Sequence, residues 1–353
     1  MNLDNLRKQI DDIDAHIVKG LNKRLGLTLK IRNLKKKLGK GVYSPEREYK
    51  VLERLKAFKR EFLSDSALEA IYREIMSSAL ALEQPLKIAY LGPQATFSHL
   101  AAIKRFGQQL TYVPCSSISE VFKEVQRGNA DYGVAPIENS IEGAITHTMD
   151  MLIDSGLNIC SQIVMNVSHN LLSNCPKDSI RRIYSNPQVF AQCRMWLQAN
   201  FPKAELIDAS STTRAAEIVQ RQKNAACIAS LLAAQLYTIK VIARNIEDSP
   251  YNITRFLVLG TRSAEPTGND KTSLVFSIKD KVGALHDMLV PFKKYRINLT
   301  KIESRPSKKR AWEYYFFVDL EGHLQDTNVA KAVSELEDNA KYLKILGSYP
   351  NAE

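Results

Sequence analysis

The chain has 353 residues, 44% of them hydrophobic and 25% charged, which excludes a disordered protein and predicts two or three domains. No apolar run reaches membrane-spanning length, and the N-terminal sequence lacks the apolar core of a signal peptide, so we expect a cytoplasmic protein that binds no membrane. The net charge of +11 suggests nucleic-acid binding, but few aromatic residues lie between the N-terminal cations, which argues against a base-stacking surface and a nucleic-acid partner.

Residues 3–38 predict one long helix. They contain no proline, and apolar residues recur at alternating steps of three and four, from Leu3 and Leu6 to Leu34 and Leu38. A helix of this length reaches roughly 54 Å at about 1.5 Å per residue, which is more than one small domain can cover. We therefore expect a helix from a second chain to pack against it, in a homo-oligomer that is at least a dimer.

Three cations lie on or beside the apolar stripe of this helix. Arg24 continues the stripe itself, whereas Arg7 and Lys35 flank it. Arg24 and Lys35 are separated by about three helical turns and point nearly the same way, while Arg7 lies about 100° away around the helix. One pocket could then hold Arg24 and Lys35 while Arg7 reaches a pocket in a partner chain. A guanidinium on an apolar stripe needs an anionic partner if it is buried. Periodicity alone favours a carboxylate of the protein as that partner, in a structural ion pair, over a bound anion.

Two shorter helices complete an all-α first domain over residues 1–85. Ser44 and Pro45 predict an N-cap and a first helical residue, with the helix running to about Arg60. Ser66 to Glu69 resembles a capping box that opens a third helix. This third helix is expected to end at the domain limit.

Residues 86–263 alternate between apolar strands and helical stretches, which predicts an α/β domain in two lobes. The predicted strands are LKIAYLG, DYGVAPIEN, NICSQIVMNV, RRIYSN, AELIDAS, AACIAS and TRFLVLG. Glu138, Asn139 and Ser140 end one strand, where α/β domains commonly bind ligands, and Thr213 follows another. Each of these polar residues could instead be a helix cap or a turn residue.

Residues 271–353 are predicted to form strand, helix, strand, strand, helix and strand. The segments are TSLVFSI, GALHDMLVPFKKY, NLTKIESRP, EYYFFVDLEG, NVAKAVSELEDNA and YLKILGSY. This βαββαβ order is that of a ferredoxin-like α+β domain. The chain is therefore expected to be a multidomain protein with one all-α, one α/β and one α+β domain.

The five cysteines and six histidines are dispersed, and they form no CxxC, HExxH or His-x-His motif. This pattern favours reduced thiols in a cytoplasm and argues against a disulfide framework. We expect no metal site.

The segments LRKQIDDIDAHIVKGLNKR and PEREYKVLERL resemble the three-helix chorismate mutase of bifunctional bacterial enzymes, which forms an intertwined dimer. In that family, basic residues that match Arg7, Arg24 and Arg47 hold the two carboxylates of the substrate, with Arg7 crossing from the other subunit. Ser44 and Ala79 stand where the family often has aspartate and serine. The resemblance implies that these five positions bind chorismate.

The same resemblance assigns roles around the ether oxygen of chorismate. Lys35 matches the lysine that faces this oxygen, Glu48 matches the glutamate that binds the substrate hydroxyl, and Glu83 matches a second contact to the ether, for which Gln84 is the alternative. The rearrangement breaks a C–O bond and forms a C–C bond within one molecule, so it needs no cofactor. A glutamate that donates to the ether oxygen must be protonated, so mutase activity is expected to rise toward acidic pH.

Residues 87–260 resemble prephenate dehydratase along their whole length. The resemblance rests on GPQATFSHLAA, DYGVAPIENSIEG, YSNPQVFAQC, SSTTRAA and NITRFLVLG in this order and spacing. The family's catalytic threonine matches Thr254, which would assist loss of the substrate hydroxyl by donating a hydrogen bond. Arg255 is either a carboxylate partner or part of a structural pair. The substrate-binding candidates here are Glu138, Asn139, Ser140, Thr213 and Arg255.

The C-terminal segment resembles the ACT domain attached to these dehydratases. Two stretches carry the resemblance, and the residues matching the family's phenylalanine site are Gly283, Ala284, Leu285, Glu303, Ser304, Arg305 and Pro306. A glycine at a strand-to-helix turn exposes backbone N–H groups to a carboxylate, although a tight turn alone would explain it. The resemblance implies inhibition by L-phenylalanine bound between subunits.

The three resemblances together imply a bifunctional enzyme of L-phenylalanine biosynthesis. It would rearrange chorismate to prephenate, convert prephenate to phenylpyruvate, and be inhibited by L-phenylalanine. One alternative is a dehydratase whose helical arm is only structural. Another is a non-catalytic protein that binds small molecules and carries a sensor domain, and nucleic-acid binding ranks last.

Overall fold

The computed structural model describes residues 2–38, 41–279, 281–308 and 313–351. By their packing, the residues of the chain fall into two compact units. The first contains the N-terminal 87 residues together with Arg105–Thr111, and the second contains Ile88–Lys104 and the chain from Tyr112 onward. Among the described residues, no helix combines the length and the apolar composition that crossing a bilayer requires.

Three helices dominate the first unit: α1 (Leu3–Lys37), α2 (Pro45–Lys56) and α3 (Asp65–Glu83). The long helix predicted over residues 3–38 is confirmed, and it has no buried residue. Val51 and Leu52 of α2 pack against Met76 of α3 in a small core. The apolar stripe of α1 stays exposed, as at Ile13, whose exposed fraction is 59%.

Side chains near the helix ends shift two predicted limits. Helix α2 ends at Lys56 rather than near Arg60, and the Arg60 guanidinium caps this end by donating to the Lys56 carbonyl over 2.9 Å. Helix α3 begins after Ser64, whose Oγ accepts a hydrogen bond of 3.2 Å from the Ala67 N–H. The capping box predicted to begin at Ser66 is therefore wrong, since Ser66 lies within the first turn.

Beyond residue 86 the chain alternates between strands and helices. The helices are α4 (Phe97–Phe106), α5 (Ile118–Gln126), α6 (Thr146–Asp154), α7 (Pro187–Gln192), α8 (Arg194–Asn200), α9 (Thr212–Gln220), α10 (Leu231–Leu236), α11 (Ala284–Lys294) and α12 (Thr327–Asn339). The strands are β1 (Lys87–Leu91), β2 (Thr111–Cys115), β3 (Tyr132–Asn139), β4 (Gly143–Ala144), β5 (Asn158–Asn166), β6 (Asn170–Leu172), β7 (Arg182–Ser185), β8 (Glu205–Asp208), β9 (Ala225–Ala229), β10 (Val241–Ala243), β11 (Ile253–Gly260), β12 (Asp270–Ser277), β13 (Leu299–Pro306), β14 (Tyr314–Glu321) and β15 (Tyr342–Pro350).

Two sheets form the two lobes of the α/β region. The first has the order β2-β1-β3-β11-β5, with β4 paired to β3, and the second has the order β10-β6-β9-β7-β8. Strand β11 lies between β3 and β5 and is antiparallel to both. This pairing places Thr254, near the start of β11, directly opposite Asn139 at the end of β3.

The C-terminal sheet has the order β13-β14-β12-β15. One face packs on α11 and α12 through residues such as Phe316 and Phe292, and the other contributes Phe317 and Tyr349 to the core of the first lobe. The two sheets approach closely at Gly347, where a Cβ atom would lie 2.3 Å from the carbonyl oxygen of Ile159. Only glycine fits at this position.

Candidate active sites

Helices α1, α2 and α3 surround a cavity of about 700 Å³. Its volume lies within the range of about 300–1,000 Å³ that small-molecule sites usually have. The predicted mutase residues that line it are Arg24, Lys35, Ser44, Arg47, Glu48, Ala79 and Glu83. The spacing of about three turns between Arg24 and Lys35 does bring both residues to one cavity, as the sequence predicts.

Several charged atoms in this cavity lack the partners that burial normally demands. Among the described residues, the buried atoms Arg24 Nη1 and Glu83 Oε2 have no hydrogen-bond partner. The Lys35 ammonium lies 3.9 Å from Glu83 Oε2 and donates to the Val42 carbonyl over 2.7 Å. Burial raises the pKa of Glu83, while Lys35, Arg32 and Arg24 oppose the rise. The cavity therefore presents cationic donors next to a carboxyl group that holds a proton more readily than usual.

Glu48 is held by two arginines that sequence reasoning missed. Its carboxylate is buried and pairs with Arg73 and with Arg105, whose Nη2 lies 3.3 Å from Glu48 Oε2. Arg105 also donates from Nε to the Tyr43 hydroxyl over 2.8 Å. Arg105 lies twenty positions beyond the predicted domain limit at residue 85, so no spacing in the sequence indicates this contact.

Two other predicted mutase residues lie at the surface of the first unit. Arg47 borders the cavity but is exposed, and Arg7 is not among the lining residues. The guanidinium of Arg7 lies 3.7 Å from Asp4 Oδ1, and both side chains are largely exposed. The exposure of Arg7 near one end of α1 is compatible with the predicted crossing to a partner chain.

The predicted catalytic threonine accepts a hydrogen bond from a side chain across the sheet. The Asn139 amide donates from Nδ2 to Thr254 Oγ1 over 2.8 Å. Its Oδ1 accepts from the N–H groups of Ile141 and Glu142 over 2.9 and 3.1 Å, which fixes the orientation of the amide. Because Thr254 Oγ1 is the acceptor in this pair, its hydroxyl hydrogen is available to a ligand.

A chain of amides continues from this pair into the second lobe. Asn252 accepts from Asn139 Nδ2 over 2.8 Å and donates to Gln192 Oε1 over 2.9 Å. Gln192 Nε2 donates to Glu142 over 3.0 Å, so its oxygen faces His169 Nε2 at 2.7 Å, and that ring nitrogen carries the hydrogen. Burial lowers the pKa of His169, which is therefore neutral. Gln192 and Asn252 lie inside the motifs YSNPQVFAQC and NITRF, where their polar character was the available signal.

The remaining polar candidates near these strands differ in their bonding. Ser140 donates from Oγ to the Tyr251 carbonyl over 2.6 Å and accepts from the Ile253 N–H over 2.9 Å, so it ties the end of β3 to the start of β11. Thr213, in the first turn of α9, is fully buried, and its Oγ1 has no hydrogen-bond partner among the described residues. A ligand could satisfy this hydroxyl.

Glu138 and Arg255 lie in an ion-pair cluster with the C-terminal sheet. Arg255 Nη1 is 2.6 Å from Asp319 Oδ2, and Arg255 Nη2 is 3.2 Å from Glu138 Oε2. The Lys301 ammonium lies 2.7 Å from the same oxygen of Glu138. Successive strand residues point to opposite faces, so Arg255 faces away from Thr254. Of the two interpretations of Arg255, the structure shows the ion pair, and Glu138, predicted to bind substrate, is engaged in the same cluster.

The two stretches predicted to bind an effector lie on separate elements of the C-terminal domain. Gly283 caps the N-terminus of α11 with a φ of 77°, a conformation that favours glycine, and Ala284 and Leu285 begin the helix. The stretch 303–306 lies on β13, an edge strand of its sheet. On this strand Arg305 is buried and donates to Asp150 Oδ1 of α6 over 2.9 Å.

Metal and thiol chemistry find little support in the described part of the chain. No group of three or more His, Cys, Asp and Glu side chains there is arranged to hold a metal ion. All five cysteines are free thiols. Burial raises the pKa of Cys115 to about 11 and raises the pKa values of Cys193 and Cys227 as well. These three thiols stay protonated at neutral pH and are poor nucleophiles.

Comparison with known families divides the chain into three parts. A family model described as chorismate mutase type II matches residues 6–84, a prephenate dehydratase model matches residues 88–264, and an ACT domain model matches residues 272–338. These matches follow the order of the all-α, α/β and α+β regions described above.

Individual relatives show the same arrangement. The bifunctional chorismate mutase/prephenate dehydratase of Aquifex aeolicus is 46% identical over 355 residues, covering 99% of this chain and 98% of that protein. The structure resembles the prephenate dehydratase of Arthrobacter aurescens in complex with L-Phe, with a TM-score of 0.70 and 33% identity over 76% of this chain and 90% of that one. It also resembles GqqA, described as a novel type of quorum quenching acylase, with a TM-score of 0.70 and 29% identity over 75% of this chain and 98% of that one.

Proposed function

We infer the roles of these residues from one premise: the chain belongs to the bifunctional chorismate mutase/prephenate dehydratase family. It is an enzyme with both activities, built from an N-terminal helical mutase domain, a central α/β dehydratase domain and a C-terminal ACT domain. It rearranges chorismate to prephenate and converts prephenate to phenylpyruvate in the biosynthesis of L-phenylalanine. The proposed domain limits are residues 1–85, 86–263 and 271–353.

The helical cavity is the proposed site of the mutase reaction. Arg24 and Arg47, with Arg7 of the partner subunit, hold the two carboxylates of chorismate in the compact conformer that rearranges. Glu48 accepts a hydrogen bond from the substrate hydroxyl. The observation that carries this proposal is the buried atom Arg24 Nη1, which has no hydrogen-bond partner in the described part of the chain, since a buried donor of a charged group is costly unless an anion completes the site.

Lys35 and Glu83 are the proposed donors to the ether oxygen. Negative charge grows on this oxygen as the C–O bond breaks, so donors that are already in place stabilise the transition state more than the substrate. Lys35 lies 3.9 Å from Glu83, which puts both groups beside one small region of the cavity. The raised pKa of Glu83 supports a protonated, donating carboxyl group. Gln84 lies outside the cavity lining, so the geometry favours Glu83 over its neighbour.

Thr254 is the proposed catalytic residue of the dehydratase reaction. The bond between the ring carbon and its hydroxyl breaks with both electrons leaving on oxygen, while the carboxylate leaves as CO2 and its bonding electrons complete the aromatic ring. Thr254 donates a hydrogen bond to the departing oxygen, which ends as water after taking a proton from solvent. Asn139 supports this role because it donates to Thr254 Oγ1 and leaves the hydroxyl hydrogen for the substrate. Thr213 and Ser140 are the other proposed contacts.

The C-terminal domain is the proposed site of feedback inhibition by L-phenylalanine. Residues 283–285 and 303–306 form the effector site, and the L-Phe complex of the Arthrobacter aurescens dehydratase supports the identity of the effector. Inhibition requires that phenylalanine bind one arrangement of the enzyme better than another. The exposed edge strand β13 is suited to a site shared between subunits.

A homodimer in the cytoplasm is the proposed form of the enzyme. The apolar stripe of α1 is exposed along its length, with exposed fractions of 57% at Ile10 and 52% at both Ile17 and Leu27. A stripe of this extent is typical of a surface that another chain covers. The five free thiols support a reducing compartment. Light scattering after size exclusion should give twice the chain mass, and a monomer would contradict the dimer.

The decisive experiment follows both substrates in the full-length enzyme. Chorismate consumption and phenylpyruvate formation are measured with a basic quench, because acid converts prephenate to phenylpyruvate unaided. Reactions from chorismate and from prephenate should both yield phenylpyruvate, and L-phenylalanine should suppress phenylpyruvate formation from both substrates. A Lys35→Met variant should lose about 10²–10³-fold in mutase kcat, as for loss of one transition-state donor, with prephenate turnover unchanged. Equal turnover of chorismate by this variant would contradict the assigned mutase site.

A further inference from the structure

Strands β11 and β3, which carry Thr254 and Asn139 (the dehydratase pair), also carry two charged residues on the opposite face of the sheet. Thr254 lies opposite Asn139 on β11 and β3, and the next pair in the register is Arg255 opposite Glu138. Side chains of successive residues alternate between the faces of a sheet. The ion pair between Arg255 and Glu138 is therefore the immediate neighbour, through the backbone, of the hydrogen bond from Asn139 to Thr254.

Side chains on two strands of the C-terminal domain bind this ion pair. Arg255 Nη1 donates to Asp319 Oδ2 of β14 over 2.6 Å, and Lys301 Nζ of β13 donates to Glu138 Oε2 over 2.7 Å. Each strand of the dehydratase pair is thus tied to a different strand of the C-terminal sheet. A change in the spacing of β13 and β14 would move the two dehydratase strands relative to each other.

Asp319 is itself held in place by hydrogen bonds within the C-terminal domain. Asp319 Oδ1 accepts from the Ser273 hydroxyl at 2.5 Å, and Ser273 Oγ lies 2.7 Å from the hydroxyl of the fully buried Tyr349. The side chains of Arg255, Asp319 and Lys301 are only 14%, 10% and 15% exposed. Loss of Asp319 would leave the Arg255 guanidinium poorly solvated, whereas Glu138, whose side chain is 38% exposed, is the most solvated member of the cluster.

Strand β13 connects this cluster to the proposed effector site. Lys301 lies on the same strand as residues 303–306, two positions before Glu303. A ligand that shifts this edge strand also shifts the ammonium that holds Glu138. The cluster thus provides a physical contact between an effector on the C-terminal domain and the strand ends at Thr254.

We propose that Lys301 and Asp319 are positioning residues of the dehydratase reaction. Acting through Glu138 and Arg255, they hold the ends of β3 and β11, which lie beyond the shift in register between Arg255 and Phe256, in the arrangement that lets Asn139 orient Thr254. The C-terminal domain is then part of the dehydratase machinery even without phenylalanine, and the effector inhibits by displacing Lys301. This inference rests on the proposed role of Thr254.

The test uses Lys301→Met and Asp319→Asn in the full-length enzyme. The dehydratase kcat should fall about tenfold, as for substitutions that alter coupling between sites, with the KM for prephenate nearly unchanged. The phenylalanine concentration for half-inhibition should also change, whereas a purely structural pair would leave it constant. Circular dichroism and thermal unfolding of the same samples report whether the variants fold, because the cluster and the mutase cavity lie in different compact units. A Lys301→Arg variant should recover most of the kcat.

Lys308→Met is the matched control. Lys308 also reaches the dehydratase region, pairing with Asp150 at 2.8 Å, but its side chain is 67% exposed and lies outside the cluster. This variant should keep the dehydratase kcat. In a double-mutant cycle of Lys301→Met with Glu138→Gln, the two losses should be far from additive, because both remove one interaction. Additive losses would mean that Glu138 acts on the substrate alone and would overturn the inference.

Two other outcomes would also overturn it. A dehydratase kcat within twofold of the wild-type value in both variants would show that the cluster does not position the site. Loss of the native circular dichroism spectrum and of a cooperative unfolding transition in both variants would show that the cluster serves folding instead. Failure of the underlying catalytic assignment is distinguishable, because it would appear as retained activity in Thr254→Val, whatever the cluster variants do.

Discussion

The helical cavity differs from the strand-end site, formed by Thr254, Asn139, Asn252 and Gln192, in how its buried polar groups are bonded. In the cavity, Arg24 and Glu83 each keep a buried atom that has no hydrogen-bond partner within the described ranges. At the strand ends, Asn139 donates to Thr254 and to Asn252, which in turn donates to Gln192. The cavity thus contains ionisable groups with unpaired atoms, and the strand-end site is a neutral network in which most groups are already hydrogen-bonded.

The difference follows from the two reactions. The rearrangement of chorismate transfers no proton and needs charge around a dianion and its ether oxygen, so the protein leaves charges for the substrate to complete. The dehydration is driven by aromatisation, and it needs one donor aimed at one leaving oxygen. A network that fixes the orientation of Asn139 and Thr254 meets this need without buried charge. The two sites therefore differ in the kind of group that is unpaired rather than in the number, since the unpaired buried atoms among the described residues include Arg24 Nη1 and Glu83 Oε2 in the cavity and His169 Nδ1 and Thr213 Oγ1 in the α/β region.

The largest expected effect tests the single donor of the strand-end site. Thr254→Val keeps the shape of the side chain and removes the hydroxyl, so the dehydratase kcat should fall by about 10²–10⁴-fold, the usual contribution of a positioned acid. Steady-state assay from prephenate measures this loss, and Thr254→Ser should restore much of the rate. Mutase activity serves as the internal control and should not change. A dehydratase loss below tenfold would assign catalysis to another residue.

A change in pH dependence tests the charged site. Burial raises the pKa of Glu83, so the carboxyl stays protonated to higher pH than an exposed glutamate, and the donor is lost as the pH rises through this pKa. Mutase activity should therefore fall by about tenfold per pH unit above it, while Glu83→Gln, a donor at every pH, should flatten the profile. Rate profiles of kcat/KM from chorismate decide the matter. The exposed Glu53→Gln should keep the wild-type profile, and a Glu83→Gln variant with the wild-type slope would contradict the role.

The smallest effect concerns the buried Thr213, whose hydroxyl has no hydrogen-bond partner among the residues that the structure describes. Thr213→Val should leave the free energy of unfolding unchanged or raise it by about 1 kcal/mol, because no hydrogen bond is lost, while the KM for prephenate rises. The control is Thr148→Val, whose equally buried hydroxyl donates to the Pro136 carbonyl over 2.6 Å, and which should lose about 1 kcal/mol. Thermal and denaturant unfolding measure both. An unchanged KM in Thr213→Val would remove Thr213 from the substrate site.

The long periodic segments were predictable from the sequence, whereas several of the shortest strands were not. The 35 residues of α1 and the six elements of the C-terminal domain carry enough repeats for their period to be read. Strands β4, β6 and β10 were missed because they have only two or three residues, and β2 was missed because it contains Pro114. Helix ends depended on single side chains, such as Arg60 beyond α2 and Ser64 before α3, whose hydrogen bonds no period reveals.

By itself, the sequence determined which chemistry each region contains: cations on an apolar helix, polar residues at strand ends, and a βαββαβ tail. Only the tertiary structure decided which charges are paired. The sequence left both Arg24 and Arg255 open between a structural pair and a ligand contact. Folding gives Arg255 a carboxylate partner 64 positions away, at Asp319, and leaves Arg24 Nη1 buried with no hydrogen-bond partner in the part of the chain that the structure describes. The physical reason is that pairing depends on distances of a few ångströms, which arise from sheet and helix packing between segments far apart in the chain.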